Sequence, residues 1–110
     1  MNTLLALYPT PADPAAFLAR YDQGHAPLVR QLPGLASLTV TRIDRVYAGQ
    51  GAPFLIATMT FADADALKAA MKSPQMAAVG ADVAQFADGL VTIVGGQVLK
   101  GVSQEGPEPT

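Results

Sequence analysis

Apolar residues recur along this chain with two different periods, and the switches between them mark out the elements. Thr3 to Tyr8 is a compact apolar run closed by Pro9 and Pro11, which predicts a first strand. Asp13 followed by Pro14 forms a helix start, with an N-cap residue and then a proline whose missing N–H costs nothing there. Beyond it Phe17, Leu18, Tyr21, His25, Leu28 and Leu32 fall at helical spacing. Gly24 and Pro27 interrupt that stripe, so the reading is a helix to about Gly24, a kink, and a shorter helical turn from His25 to Gln31 ended by Pro33 and Gly34.

Leu35 to Tyr47 then reads as a long strand, with Leu38, Val40 and Val46 on one face and Thr39, Thr41 and Ile43 on the other. A Gly/Pro loop from Ala48 to Pro53 leads into a third strand, Phe54 to Phe61, expected to pair with the second as an antiparallel hairpin. Asp63 caps a helix carrying Leu67, Ala70 and Met71, and Ser73-Pro74 opens another that runs to about Phe86. Gly89 to Leu99 is the fourth strand, with a bulge expected at Gly95-Gly96.

The order strand, helix, strand, strand, helix, strand is the ferredoxin-like split βαβ arrangement of an α+β domain. Right-handed crossovers put both helical regions on one face of a four-stranded antiparallel sheet. The other face is left open, yet Leu4-Leu5-Ala6-Leu7, Phe54-Leu55-Ile56-Ala57 and Leu90-Val91-Thr92-Ile93-Val94 carry apolar side chains to both faces. A second copy packed sheet to sheet, as a homodimer, would cover it.

Composition supports that expectation. Half of the 110 residues are hydrophobic and only 15% are charged, against roughly 25% in an average globular chain. The length suits one domain, expected over residues 1–100, followed by a disordered tail over 101–110 that holds both glutamates, Glu105 and Glu108. A net charge of -2 with scattered basic residues leaves no footprint for nucleic acid. No run approaches a membrane span, and the chain lacks the basic start and long apolar core of a signal peptide, so a cytoplasmic protein is expected. Without cysteine there is no disulfide, thiol or thiolate-metal chemistry, and one histidine cannot make a two-histidine metal site within a chain.

That histidine, His25, is the one side chain whose ordinary pKa lies near neutrality. Four residues after Tyr21 and three after Asp22, it shares a helical surface with both, so Asp22 is expected to orient the ring and the trio to transfer protons. Competing structural roles are plain: His25 bonded to a carbonyl freed by the kink, Tyr21 as core packing, Asp22 as a solvated carboxylate. Arg42, in phase with Leu38 and Val40, would hold an anionic group under the helices or else snorkel at a strand end. Met59 and Phe86 are core filling that would equally line an apolar ligand cavity. Gly49-Gln50-Gly51 has no helix behind it and is a hairpin loop, not a phosphate cradle.

The run Leu7-Tyr8-Pro9, Asp13-Pro14-Ala15-Ala16-Phe17, Tyr21, His25-Ala26-Pro27-Leu28-Val29 and Leu32-Pro33-Gly34-Leu35 resembles the N-terminal signature of the EthD family. Asp63-Ala64-Asp65-Ala66-Leu67, Ser73-Pro74 and Asp82-Val83-Ala84-Gln85-Phe86 extend the resemblance over about residues 3 to 99. It implies a dimeric α/β barrel and a histidine of functional weight at position 25. The family takes its name from a protein needed for bacterial degradation of an ether fuel additive beside a cytochrome P450 system. Relatives sharing the barrel include lactone isomerases, polyketide cyclases and decarboxylases, quinone-forming monooxygenases and haem-degrading enzymes, and fold analogy alone does not choose among them. Three readings follow: an enzyme working without a cofactor on a small apolar, aromatic or carbonyl-bearing metabolite with His25 as general acid or base; a non-catalytic accessory protein holding such a compound for a partner oxygenase; and a haem-binding barrel with His25 as axial ligand.

Overall fold

A computed structural model describes residues 1–87 and 90–101. The tail expected over 101–110 lies outside them apart from Gly101, as does Gly89 at the expected start of the last strand. Along the chain run β1 (Asn2–Tyr8), α1 (Pro14–Arg20), a π turn (Tyr21–His25), α2 (Ala26–Val29), β2 (Leu35–Arg42), β3 (Leu55–Phe61), α3 (Ala64–Met71), α4 (Pro74–Phe86) and β4 (Thr92–Gln97). The strands form one antiparallel sheet in the order β2-β3-β1-β4, the ferredoxin-like topology.

Each helix start follows from its cap. Asp13, Ser73 and Asp63 sit in extended backbone and accept hydrogen bonds from the amides of Ala16, Met76 and Ala66, meeting donors that the first turn leaves unpaired. The turn from α2 into β2 closes at Gly34, whose φ of 74° is a left-handed conformation that glycine adopts without strain.

Alternation along the two central strands sets the layers. Leu4, Ala6 and Tyr8 of β1 stand beside Met59, Ala57 and Leu55 of β3, and all six are buried under the helices. Leu38, Val40 and Arg42 of β2 and Ile93 of β4 share that face by register. Leu5, Leu7, Ile56 and Val94 form an apolar centre on the opposite face, rimmed by Thr3, Thr39, Thr41, Thr58, Thr60 and Thr92. The open face is thus apolar in the middle and threonine-rich around it, a less apolar surface than the runs alone suggest. Threonine alternates in these strands because its β-branched side chain suits a pleat on either a wet or a dry face.

Two expectations change. β2 ends at Arg42, short of Tyr47, leaving Val46 and Tyr47 exposed outside the sheet. The pairing of β1 with β4 runs unbroken from Asn2↔Gln97 to Leu7↔Thr92, so Gly95-Gly96 makes no bulge; the irregularity falls in β2 instead, between Leu35 and Ser37. At Gly95 an added Cβ would lie 3.9 Å from the Thr3 carbonyl oxygen, an ordinary contact, so the strand has room for a side chain there.

Candidate functional site

The break at Gly24 and Pro27 takes the form of a π turn. The amide of Ala26 donates to the Tyr21 carbonyl five residues back, which places the widened turn just before the residue that cannot donate. Widening also changes which side chains share a face. Tyr21 and His25 come together and are buried, their ring centroids 5.3 Å apart, while Asp22 turns outward and is exposed. Asp22 therefore does not orient the histidine.

Asp82 of α4 does. Its Oδ2 lies 2.8 Å from His25 Nδ1, and Arg20 grips the same carboxylate with two hydrogen bonds, Nη1 to Oδ2 at 3.1 Å and Nη2 to Oδ1 at 2.5 Å. Arg20 also lies over the Phe86 ring at 5.0 Å, and Phe86 in turn packs 4.9 Å from the imidazole, centroid to centroid. Gly24 makes room for this arrangement: a Cβ there would stand 2.6 Å from Arg20 Nη1. The His25 ring bonds a side chain from another helix, so it is not spent on a carbonyl freed by the kink.

Electrostatics fix the proton. Hydrogen bonds from Arg20 hold the Asp82 carboxyl below the ordinary carboxylate range against the opposing effect of burial, with His25 adding to the same direction. An ionised carboxylate only accepts, so Nδ1 carries the hydrogen and the neutral ring keeps its lone pair on Nε2. Burial pushes the His25 pKa down, further than the neighbouring Asp82 raises it, which favours that neutral ring. Burial likewise pushes the Tyr21 hydroxyl up to about 12 and the Tyr8 hydroxyl higher still, so both are neutral phenols in ordinary buffers.

Beside His25, between the helices and the sheet, is a cavity of about 360 Å³ walled by Leu4, Ala6, Val29, Ala57, Met59, Met71, Met76, Val79, Gly80, Val83 and Ile93, with Tyr8, Tyr21 and His25 also on its lining. Its volume is at the small end for ligand pockets, and its lining has their usual mixture of many apolar groups and few polar ones. Met59 stands on this wall. Phe86 does not; it backs the histidine and faces a separate crevice with Phe17 and Leu90.

Arg42 points toward the helix side as its phase requires, but it ends at a wide, open cleft of about 700 Å³, where its Nε donates to Asp44 at 2.9 Å. Asp22, Arg30, Leu18 and Val40 share that cleft, and Tyr21 forms part of the wall between it and the smaller cavity. With two arginines facing two aspartates, the larger cleft has little net charge. Among the described residues no cluster of acids and histidine has the makings of a metal centre.

Arg20 and Asp82 are the site residues that the sequence reading did not single out. A local signal existed for Asp82: it is the sole charged residue of α4 and lies three positions after the buried Val79 and four before Phe86, on the inward stripe of the helix.

Known proteins place this chain in a lineage. A protein of Rhodococcus erythropolis, described as an uncharacterized 11.0 kDa protein in the thcB-thcC intergenic region, is 33% identical over 94 residues, spanning 86% of this chain and 91% of its own. The crystal structure of an ethyl tert-butyl ether d (ethd) family protein from Bacillus halodurans C-125 superposes with a TM-score of 0.83 at 37% identity, covering 90% of this chain and 99% of that one. A dimeric ferredoxin-like protein of unknown function from Thermobifida fusca YX shares the fold at 13% identity, with a TM-score of 0.64 over 88% of this chain and 90% of the other. Residues 9–90 match the model of the EthD domain, and the chain belongs to the EthD family.

Proposed function

We propose that this protein takes a small apolar metabolite, aromatic or carbonyl-bearing, into the cavity beside His25, and that His25 moves a proton on it. One observation carries the reading: a 2% exposed imidazole on an otherwise apolar wall, with Nδ1 2.8 Å from a carboxylate that an arginine keeps ionised. In this reading Nε2 meets the ligand. It takes a proton as general base, the imidazolium formed is stabilised by Asp82, and the proton returns at another atom of the same molecule. That cycle is balanced without an added oxidant or reductant, which suits isomerisation, cyclisation or decarboxylation. The ligand's removal from water strengthens the Asp82 interaction at the moment the ring becomes charged.

A library of hydrophobic aromatic and carbonyl compounds tests it, followed by NMR of the single histidine and of the Met59, Met71 and Met76 methyl groups. Ligands of the proposed kind shift both sets. For a compound that is turned over, His25→Gln keeps a hydrogen-bond donor for Asp82 and is expected to lower kcat about 100-fold or more with the fold intact. Binding that survives in His25→Gln with no turnover in either protein would favour the accessory role over the enzyme.

The reading includes a homodimer closed through the open sheet faces into an α/β barrel. Leu5, Leu7, Ile56 and Val94 supply the apolar centre that such packing needs, and the Thermobifida fusca relative of the same fold is described as dimeric. Light scattering on the eluting protein should give two 11.4 kDa chains at micromolar concentration, and a stable 11.4 kDa species would overturn it.

A further inference from the structure

The chain has no cysteine, so all of its sulfur is thioether, carried by four methionines. Three of the four, Met59, Met71 and Met76, line the cavity beside His25, which gathers most of the molecule's oxidisable sulfur at one place. The three differ in their access to water. Met59, on β3 under the helices, is 5% exposed, and Met76, in the first turn of α4, is half-buried. Met71, the last residue of α3, is 47% exposed. It therefore faces solvent and cavity at once, at a mouth shared with Ile93, also 47% exposed, and with the exposed Gly80.

We infer that Met71 is an oxidation site that controls this cavity: a peroxide converts its thioether to the sulfoxide, and the cavity then holds apolar ligands less tightly. The inference rests on the cavity reading above and adds a control over the binding proposed there.

The step is balanced by the peroxide alone. The Met71 sulfur attacks one peroxide oxygen, an S–O bond forms as the O–O bond breaks, and with hydrogen peroxide the second oxygen leaves as water. Sulfur gives up the two electrons that the peroxide takes. A thioether has no proton whose loss would activate it, as a thiol has, so access to the oxidant decides which methionine reacts. That favours Met71 over Met76 and Met59. Association leaves the access intact, because Met71 belongs to the helix layer, away from the sheet face through which the proposed homodimer closes.

The consequence comes from the change in polarity. A methionine side chain is flexible and apolar and adapts to what packs on it, whereas its sulfoxide is polar and keeps water at its oxygen. The neighbours at this end of the cavity, Val79, Gly80, Val83 and Ile93, have no side-chain donor to offer that oxygen. An apolar ligand seated against it must strip the water or forgo the contact.

The test exposes the full chain to graded hydrogen peroxide, stops the reaction with catalase, maps sulfoxide at each methionine by peptide mass spectrometry, and measures naphthalene affinity from the Met59 methyl and His25 ring resonances. Sulfoxide is expected at Met71 ahead of Met76, and at Met59 last. Naphthalene affinity should fall about threefold or more in step with Met71 sulfoxide, and methionine sulfoxide reductase should restore it. Met71→Leu, compared with its own untreated form, should lose that sensitivity while the other methionines stay open to peroxide. Affinity that holds steady as Met71 is oxidised, that does not return once Met71 is reduced again, or that falls equally in Met71→Leu would overturn the inference and leave an apolar binding cavity. So would a Met71 that stays reduced after Met59 has reacted. Naphthalene that shifts neither resonance in untreated protein would instead overturn the cavity reading, and this inference with it. The time course and its reversal need no variant, so they decide the matter even if Met71→Leu folds poorly.

Discussion

His25 is the only histidine, so its ring protons report on the site without ambiguity. The two groups that act on it through Asp82 and Arg20 pull in opposite directions, and each can be removed. Wild-type protein should titrate below the ordinary 6.5, because burial outweighs the carboxylate. Asp82→Asn takes away the charge that favours imidazolium and should lower the midpoint further. Arg20→Gln removes the opposing cation and frees the carboxylate, so the midpoint should rise. Gly24→Ala should follow Arg20→Gln in direction, since its Cβ displaces Arg20 Nη1, and it should fail to give the stabilisation of about 1 kcal/mol that alanine normally brings to a helical glycine. The sign for stability is also fixed. With the folded pKa below 6.5, the unfolded chain binds more protons, so the contribution of His25 is fully present above 6.5 and is lost as pH falls through that value toward the folded pKa. Thermal melts between neutral and mildly acidic pH should show Tm falling on acidification, and His25→Gln should flatten part of that slope.

At the scale of elements, what could be read from the chain was whatever neighbours in sequence determine. Asp13, Asp63 and Ser73 announced three helices because a cap acts on an amide two or three residues away. Gly24 and Pro27 announced a break, and His25 announced itself by its chemistry. The form of the break stayed hidden, since the same residues permit a kink or a π turn, and the choice moves Asp22 from the histidine's side to solvent. Asp82 stayed hidden for a different reason: its partnership with His25 spans 57 positions and exists only when α4 lies across the π turn. Arg42 was legible in phase yet not in company, because Asp44 sits in the segment after the strand. On α4 itself, Gly80 is exposed at the cavity mouth and an added Cβ meets nothing within 4 Å. Gly80→Ala should therefore stabilise by about 1 kcal/mol, raising Tm by roughly 4–8 °C. Gly80→Phe should keep the fold and close the mouth, so that ligands of the cavity lose affinity while the His25 titration persists.

For the whole molecule, the proposed homodimer rests on the sheet's open face. Placing a charge at its apolar centre, by Leu5→Glu or Ile56→Glu, leaves the helix-side core untouched and should yield monomers of 11.4 kDa by light scattering. Retention of the dimer in both variants would locate the contact elsewhere. The order of strands within that sheet has a further consequence, for the way the chain finds its structure. β1 is central, with Asn2 opposite Phe61 on one side and Gln97 on the other. β1 therefore gains one neighbour only when β3 has followed it and the second only when β4 has. Local capping can start the helices in microseconds, but the sheet closes only by bringing distant segments together. Until β3 and then β4 have been made, the apolar strand Leu4 to Leu7 is without its sheet partners, and in that interval it is open to aggregation.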